Sequence, residues 1–314
     1  MNKKPFFSVV IPTYNRADTI QLTLDACWQQ SDKDFEVVLV DDGSQDNTEE
    51  VASRIEDERL RYIRQDNAGP AAARNHGMRE ARGDYIAFLD SDDVWYAGHL
   101  ASVRDAIAAG HDFIYSQIIV DRGVDRYWLK PDRAMTVDES IFDYLYKAGG
   151  FIQTSTMVVS RELAERVEWD ENVTYGDNDQ FAIDLCHAGA VPYMLPRSHT
   201  LYCDVMNPAA LSKLPMLGGG NTKYTNFFDW MATQQPHMSA DTWLAFRAHH
   251  ESPALARTAP RESAGLIWQA YRQGVLSSKG MLRQFIQTFA PRLYRRLVDT
   301  YVRFRGAPLE SVQP

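Results

Sequence analysis

The chain has 314 residues, 45% of them apolar and 24% charged, which excludes a disordered or collagen-like protein and leaves room for one large α/β domain with an appendage, or for two domains. Thirty-three Lys and Arg against 42 Asp and Glu leave a net charge of −9, so no nucleic-acid partner is expected. Three scattered cysteines, Cys27, Cys186 and Cys203, have neither the number nor the spacing of a disulfide framework or a zinc site, and they imply a reducing, cytoplasmic compartment.

In chain order, the apolar run 6–11 is shorter than a signal-peptide core and passes directly into Thr13-Tyr14-Asn15-Arg16, so it reads as a buried strand. No window reaches the ~20 apolar residues of a membrane span. Further strand-like runs rich in β-branched and aromatic residues lie at 36–40, 60–63 and 85–89. Helical patterns occupy 17–30, 47–55 and 71–82, the second preceded by Ser44 and Asp46 as capping candidates and the third followed by Gly83. This repeated β-α-β order predicts a mainly parallel, Rossmann-like sheet flanked by helices, with ligands bound outside the carboxyl ends of the strands. Those ends carry Thr13-Tyr14-Asn15-Arg16, Asp41-Asp42-Gly43-Ser44 and Asp90-Ser91-Asp92-Asp93.

Beyond Trp95 the pattern predicts a helix over 98–109, a strand over 113–120, a helix over 137–147, a strand over 155–160 and a helix over 179–188. From about 215 the strand signals stop, and 226–234, 240–250, 261–274 and 279–305 read as helices. The chain therefore divides into an α/β unit over 1–215 and a helical C-terminal region over 216–314.

The three carboxylates of Asp90-Ser91-Asp92-Asp93, a DxD arrangement at the end of a strongly apolar strand, repel one another unless a cation or hydrogen-bond donors compensate them. Oxygen-only ligands suit Mg²⁺ or Mn²⁺, which bridge carboxylates to a diphosphate. Taken alone, the same residues could be no more than acidic caps of a helix, and Asp41-Asp42-Gly43-Ser44 no more than a tight turn.

Taken together, Ser8-Val9-Val10-Ile11-Pro12-Thr13-Tyr14-Asn15-Arg16, Val40-Asp41-Asp42-Gly43-Ser44, the segment 67–77 with its Asn67-Ala68-Gly69-Pro70 start, and Asp90-Ser91-Asp92-Asp93 resemble, in order and spacing, the inverting glycosyltransferases of family 2, of GT-A fold. The resemblance implies a nucleotide-sugar donor, UDP first and GDP or dTDP as alternatives, with Pro12, Thr13, Tyr14 and Arg16 around the nucleotide. It implies Asp42 as acceptor of a base N–H and Arg74 near the base or diphosphate. Asp90 and Asp92 fall near the ribose or metal, and Asp92 and Asp93 on Mn²⁺ or Mg²⁺. Tyr14 offers a stacking face and Arg74 a planar donor fork, the alternative for Arg74 being a solvated helix face.

Inverting transfer needs a base on the acceptor hydroxyl. The resemblance puts it in Gly176-Asp177-Asn178-Asp179, with Asp177 first and Asp179 second, since either could otherwise be a helix cap. Thr154 and Ser155 fall on the acceptor side. The segment 202–212 lacks the Arg or His that the resemblance would supply to the diphosphate, and His199, out of register nearby, reads as a structural residue. Between 281 and 306 six arginines meet one acid, Asp299, giving a local charge of +5 interleaved with aromatic and aliphatic residues at helical spacing. That is the pattern of an interfacial helix on anionic lipid, or of a helix packed on its own domain, and Pro291 kinks or splits it. A glycan or lipid-linked glycan acceptor of cell-surface polysaccharide synthesis, met at the inner membrane surface, accords with the first pattern. The alternatives are a nucleotidyltransferase, against which stands the absence of glycine from Thr13-Tyr14-Asn15-Arg16-Ala17, and a non-catalytic nucleotide-sugar binder.

Overall fold

A computed structural model describes residues 4–204 and 222–312. The first half builds a seven-stranded sheet in the order β10-β6-β9-β4-β1-β2-β3. Its centre is β1 (Phe7–Thr13), β2 (Phe35–Asp41) and β4 (Tyr85–Phe88), with β3 (Leu60–Arg64) at one edge. Every residue of β1 and β2 is buried, as expected of parallel strands covered on both faces and written as continuous apolar runs. Helices α1 (Ile20–Trp28), α2 (Thr48–Ser53) and α3 (Pro70–Glu80) supply the crossovers. Gly77 of α3 lets that helix lie directly on β1, since a Cβ there would run into the Val10 side chain.

The registers put the strand ends together. Thr13 pairs with Asp41, and β4 pairs with β1 only as far as Val10–Phe88. That early departure of β4 also accommodates Pro12, whose missing N–H faces the side of β1 that β4 has left. Asp90 to Asp93 therefore emerge beside Thr13 and Asp41.

The second half departs from the expected pattern. The stretch 113–120 is two strands, β6 (Phe113–Tyr115) in the large sheet and β7 (Ile118–Asp121) in a second sheet, because the chain crosses between sheets at Ser116, whose hydroxyl bonds the Gln117 carbonyl at 2.8 Å. The second sheet, ordered β5-β11-β7-β8, also contains β5 (Val94–Trp95), β8 (Trp128–Lys130) and β11 (Thr200–Cys203), all too short to leave a periodic signal. The expected strand over 155–160 shrinks to β9 (Val158–Ser160). Before it the Gln153 side chain accepts from the Ser155 amide at 2.6 Å and closes a 3₁₀ turn over Thr154–Thr156. Strand β10 (Pro192–Met194) completes the large sheet, and between these strands lie α4 (His99–Ala108), α5 (Ile141–Tyr146), α6 (Arg161–Ala164) and α7 (Asp177–His187).

The expected boundary near 215 lies outside the described residues. Beyond it α8 (Thr222–Gln234) and α9 (Ala240–Phe246) join the main core through Phe227, Met231 and Phe246. A π-helical turn over Arg247–Glu251 leads to α10 (Ser252–Leu255) and α11 (Pro260–Arg272). Pro291 divides the last helical stretch into α12 (Ser278–Phe289) and α13 (Pro291–Arg305). No helix of the described residues is long and apolar enough to cross a membrane.

Candidate active site

The site is built where β1, β2 and β4 end. Asn15, at φ +52°, turns the chain after β1, and its amide donates to Ser44 Oγ at 2.9 Å while its side chain accepts from the Gln45 amide at 2.7 Å. These bonds fix Tyr14 and Arg16 against the end of β2. Tyr14 keeps 40% of its surface exposed, and the Arg16 guanidinium approaches Asp92 Oδ2 at 3.4 Å. Thr13 is buried, and its hydroxyl has no hydrogen-bond partner.

Asp42, expected to meet a nucleobase, is turned instead into the loop before α3. Its carboxylate accepts from Gln65 Nε2 at 2.8 Å and from the amides of Ala68 and Gly69 at 2.9 and 2.8 Å. The cause is local: the turn into α3, with Gly69 at φ +98°, leaves amides unpaired, and an acidic side chain at the neighbouring strand end satisfies them. Three protein donors on this carboxylate leave little capacity for a base N–H. Asp41 is likewise structural, accepting from Tyr62 Oη at 2.6 Å and from the Ser44 amide at 2.7 Å.

The DSDD turn separates its three carboxylates. Asp93, expected beside Asp92 on a metal, points inward: its Oδ2 accepts from Ser155 Oγ at 2.6 Å and Gln153 Nε2 at 3.1 Å, and its Oδ1 from the Cys203 amide at 3.4 Å. Burial, with the negative charges of Asp90 and Asp92, pushes its carboxyl well above the usual carboxylate range. Asp92 faces outward with 45% of its side chain exposed. Ser155 and Thr154, expected on the acceptor side, are both buried, and the Ser155 hydroxyl is committed to the turn, bonding Asp93 and accepting from the Asp90 amide at 3.0 Å. Ser155 thus braces the acidic turn and has no free hydroxyl for an acceptor.

Arg74 is no solvated helix residue. It is buried, and its two terminal nitrogens reach Asp90 Oδ1 at 2.8 Å and Asp177 Oδ2 at 2.7 Å, joining the end of β4 to the start of α7. The guanidinium lies 4.6 Å over the Trp169 ring, a contact worth about 2 kcal/mol when desolvated. The next residue, Asn75, clamps the same segment, its side chain donating to the Trp169 carbonyl and accepting from the Trp169 amide, each at 2.9 Å. Trp169 and Asn75 escaped sequence reasoning; the isolated tryptophan between Glu168 and Asp170 was the available signal. Burial raises the carboxyl of Asp90, while Arg74 opposes that shift.

Asp177 opens α7, and its side chain is 21% exposed. Gly176 precedes it at φ +72°, where a side chain would be strained and its Cβ would meet the Phe227 ring at 2.5 Å, so α8 sets where α7 begins. Asp179 is two residues on and engaged elsewhere, accepting from Tyr146 Oη at 3.3 Å; desolvation pushes its carboxyl up to about 7. His199 is buried, with its Nε2 3.1 Å from Ser102 Oγ behind the turn. Of the segment 202–212 compared with a diphosphate loop, residues 205–212 lie outside the described residues.

Among the described residues no three acidic, histidine or cysteine side chains converge to enclose a metal by themselves. The all-oxygen donor set at the DSDD turn nonetheless fits Mg²⁺ or Mn²⁺, which keep water and substrate phosphate among their ligands. Asp92 is the exposed carboxylate there, its Oδ2 3.4 Å from the Arg16 guanidinium.

The model of glycosyl transferase family 2 matches residues 8–168. The chain belongs to this family. It is a glycosyltransferase of GT-A fold, and the nucleotidyltransferase reading is set aside. Over 255 residues it is 31% identical to the amylovoran biosynthesis glycosyltransferase AmsB of Erwinia amylovora, covering 77% of this chain and 82% of that one. In structure the enzyme resembles TarS 1–349 of S. aureus in complex with UDP-GlcNAc, with a TM-score of 0.59 and 18% identity over 95% of this chain and 87% of that one. It also resembles the mannosyltransferase PcManGT of Pyrobaculum calidifontis in complex with GDP-Man and Mn²⁺, with a TM-score of 0.57 and 19% identity over 96% and 86%.

Proposed function

We propose that this glycosyltransferase moves one sugar from a nucleoside diphosphate sugar, with UDP as nucleotide, to a hydroxyl of a glycan or lipid-linked glycan in polysaccharide synthesis, inverting the anomeric centre. The observation that carries the reading is the bridge Asp90–Arg74–Asp177, which links the acidic turn at the strand ends to the helix that starts with the candidate base. The name of the Erwinia relative supports polysaccharide synthesis, and the ligands named for the two structural neighbours support a nucleotide sugar.

In this reading Tyr14 stacks on the base and Pro12 and Thr13 line the ribose, the Thr13 hydroxyl being unpartnered in the protein itself. Asp42 acts mainly by ordering the entry to α3. Asp92, with Asp90 nearby, would hold Mg²⁺ or Mn²⁺, and the ion would supply neutralisation of the charge that develops on the departing diphosphate. Asp93 and Ser155 keep that turn in shape. Asp177 takes the proton of the acceptor hydroxyl as its oxygen bonds the anomeric carbon and the bond from that carbon to the diphosphate breaks; Asp179 is held away by Tyr146. The enzyme works on the cytoplasmic side, where a lipid-linked acceptor would bring the segment 281–306 against the membrane.

Calorimetric titration with UDP, GDP, dTDP and CMP, in Mn²⁺ and after its chelation, tests the donor side. Metal-dependent binding of one nucleoside diphosphate, lost in Asp92→Asn, is the expected result, and binding of none overturns the reading. Asp177→Asn should retain nucleotide binding and lower kcat by about 10²–10⁴. Undiminished transfer by that variant removes Asp177 as the base.

A further inference from the structure

Helices α12 and α13 leave apolar side chains outside. Leu293, Leu297, Tyr301 and Phe304 of α13 are each about half exposed or more, Phe304 at 75%, and Leu282 and Phe289 of α12 are exposed at 59% and 43%. At 3.6 residues per turn the four residues of α13 fall within about 80° of one another, a single stripe along the helix. Arg292, Arg296 and Arg303 border this stripe on one side and Arg305 on the other. Among the described residues none of these arginines meets an acidic side chain, for the one acid of the segment, Asp299, is held by Arg122 Nε at 2.8 Å on the inner face. The opposite side of α13 is docked: Val302 is buried, and Arg295 Nη2 donates to the Asp204 carbonyl at 2.7 Å. One face of α13 therefore packs on the protein, while the other stays open, apolar and cationic.

We infer that this outer face of α12 and α13 is a docking surface for an anionic lipid bilayer. The occupant is chosen by charge: unpaired arginines in a chain of net charge −9 repel nothing on an anionic membrane, whereas a second copy would bring its own arginines against them. The apolar stripe enters the headgroup boundary while the arginine stems reach the lipid phosphates. The surface is tied to the catalytic turn. Arg122 and Arg295 anchor α13 to Asp204, whose neighbour Cys203 donates its amide to Asp93. A membrane-held enzyme thereby presents its acidic turn at a fixed height to acceptors in the bilayer, a consequence that rests on the lipid-linked acceptor proposed above, although the binding itself does not.

Sedimentation of the full chain with phosphatidylglycerol/phosphatidylcholine vesicles and with pure phosphatidylcholine vesicles tests it, without nucleotide present. The protein should sediment with the anionic vesicles and stay in solution with the neutral ones. The double variant Arg292→Gln, Arg296→Gln should bind roughly 30-fold more weakly. Leu297→Ser with Phe304→Ser should lose a further apolar share of the binding, while both variants keep the wild-type melting temperature and UDP affinity. Equal binding to both vesicle types, no binding to either, or a concentration-dependent dimer by light scattering without vesicle binding overturns the inference. Vesicle binding by a protein that binds no nucleotide leaves the inference standing and removes the donor reading alone.

Discussion

The strand-end cluster around Arg74 and the outer face of α12 and α13 both break the ordinary rule of apolar inside and polar outside, in opposite senses. In the first, an arginine and several aspartates are drawn out of water. In the second, leucines and aromatics are left in it. What separates the two is compensation. Every inward carboxylate of the cluster meets donors from its own chain: Asp93 from Ser155 and Gln153, Asp42 from the 65–69 loop, Asp90 and Asp177 from Arg74. Burial without such partners would cost several kcal/mol per charge. The stripe on α13 is left about half exposed or more by the described chain, and what remains open is covered only by something outside. A misplaced residue type that is satisfied internally marks a built site, and one that is not marks an interface.

The largest test of this contrast removes the compensation. Arg74→Met keeps the volume and the contact with Trp169 and deletes the cation between Asp90 and Asp177. Since those two carboxylates keep 24% and 21% of their surface, part of the fully buried penalty is screened, and a loss of about 2–3 kcal/mol in chemical denaturation is expected, with transfer abolished. An unchanged midpoint would show that the cluster is not held by Arg74. Arg74→Lys should not restore transfer, because a single ammonium cannot span both carboxylates as the planar fork does.

The contrast also explains what could be read before any coordinates. Strands β1 and β2 are seven-residue apolar runs and β4 lies within the continuous apolar run 85–89, each followed by an acidic or polar turn, so their parallel arrangement and the convergence of their ends follow from pattern alone. The second sheet was illegible because β5, β8 and β11 are two to four residues long, less than the span over which alternation can be counted. The residue types of the site were legible and their directions were not. Whether Asp93 faces a cleft or the core is decided by Ser155, 62 residues away, and whether Asp42 faces a base or its own loop is decided by the amides of Ala68 and Gly69. Burial of Arg74 depends on Trp169, which no motif announces. For α13 the sequence offered both a packed and a lipid-facing reading, because periodicity shows that a helix has two faces and leaves open which one finds a neighbour.

A smaller effect sharpens the distinction between the two acids of α7. Asp179 is raised to about 7, chiefly by desolvation, whereas an unfolded aspartate titrates near 3.9. The folded state therefore holds more protons than the unfolded state between about pH 4 and 7, and this residue's contribution to stability falls as pH rises through that window and is flat above it. Asp179→Asn keeps an acceptor for Tyr146 and has no charge to desolvate, so its melting temperature should gain on wild type as pH increases from 5 to 8. Asp90 and Asp93 titrate in both proteins and drop out of the difference. A gap between the two that does not change with pH would mean that Asp179 is solvated like an ordinary carboxylate.

The smallest expected effect is the one that identifies the stripe as surface. Leu297→Ser removes a large apolar side chain from the middle of α13. Were that leucine part of the core, the loss would be about 2–5 kcal/mol. Because 48% of it is exposed and the anchoring of α13 runs through Val302, Arg295 and Asp299 on the other side, denaturant unfolding in the absence of lipid should change by no more than about 0.5 kcal/mol. A loss in the core range would mean that the stripe is held by its own protein in solution, and the parallel with the Arg74 cluster would then be complete, with both exceptions to the burial rule compensated from within. A near-zero change leaves the asymmetry intact: the chain gives partners to the charges it hides and leaves about half of each of these leucines in water.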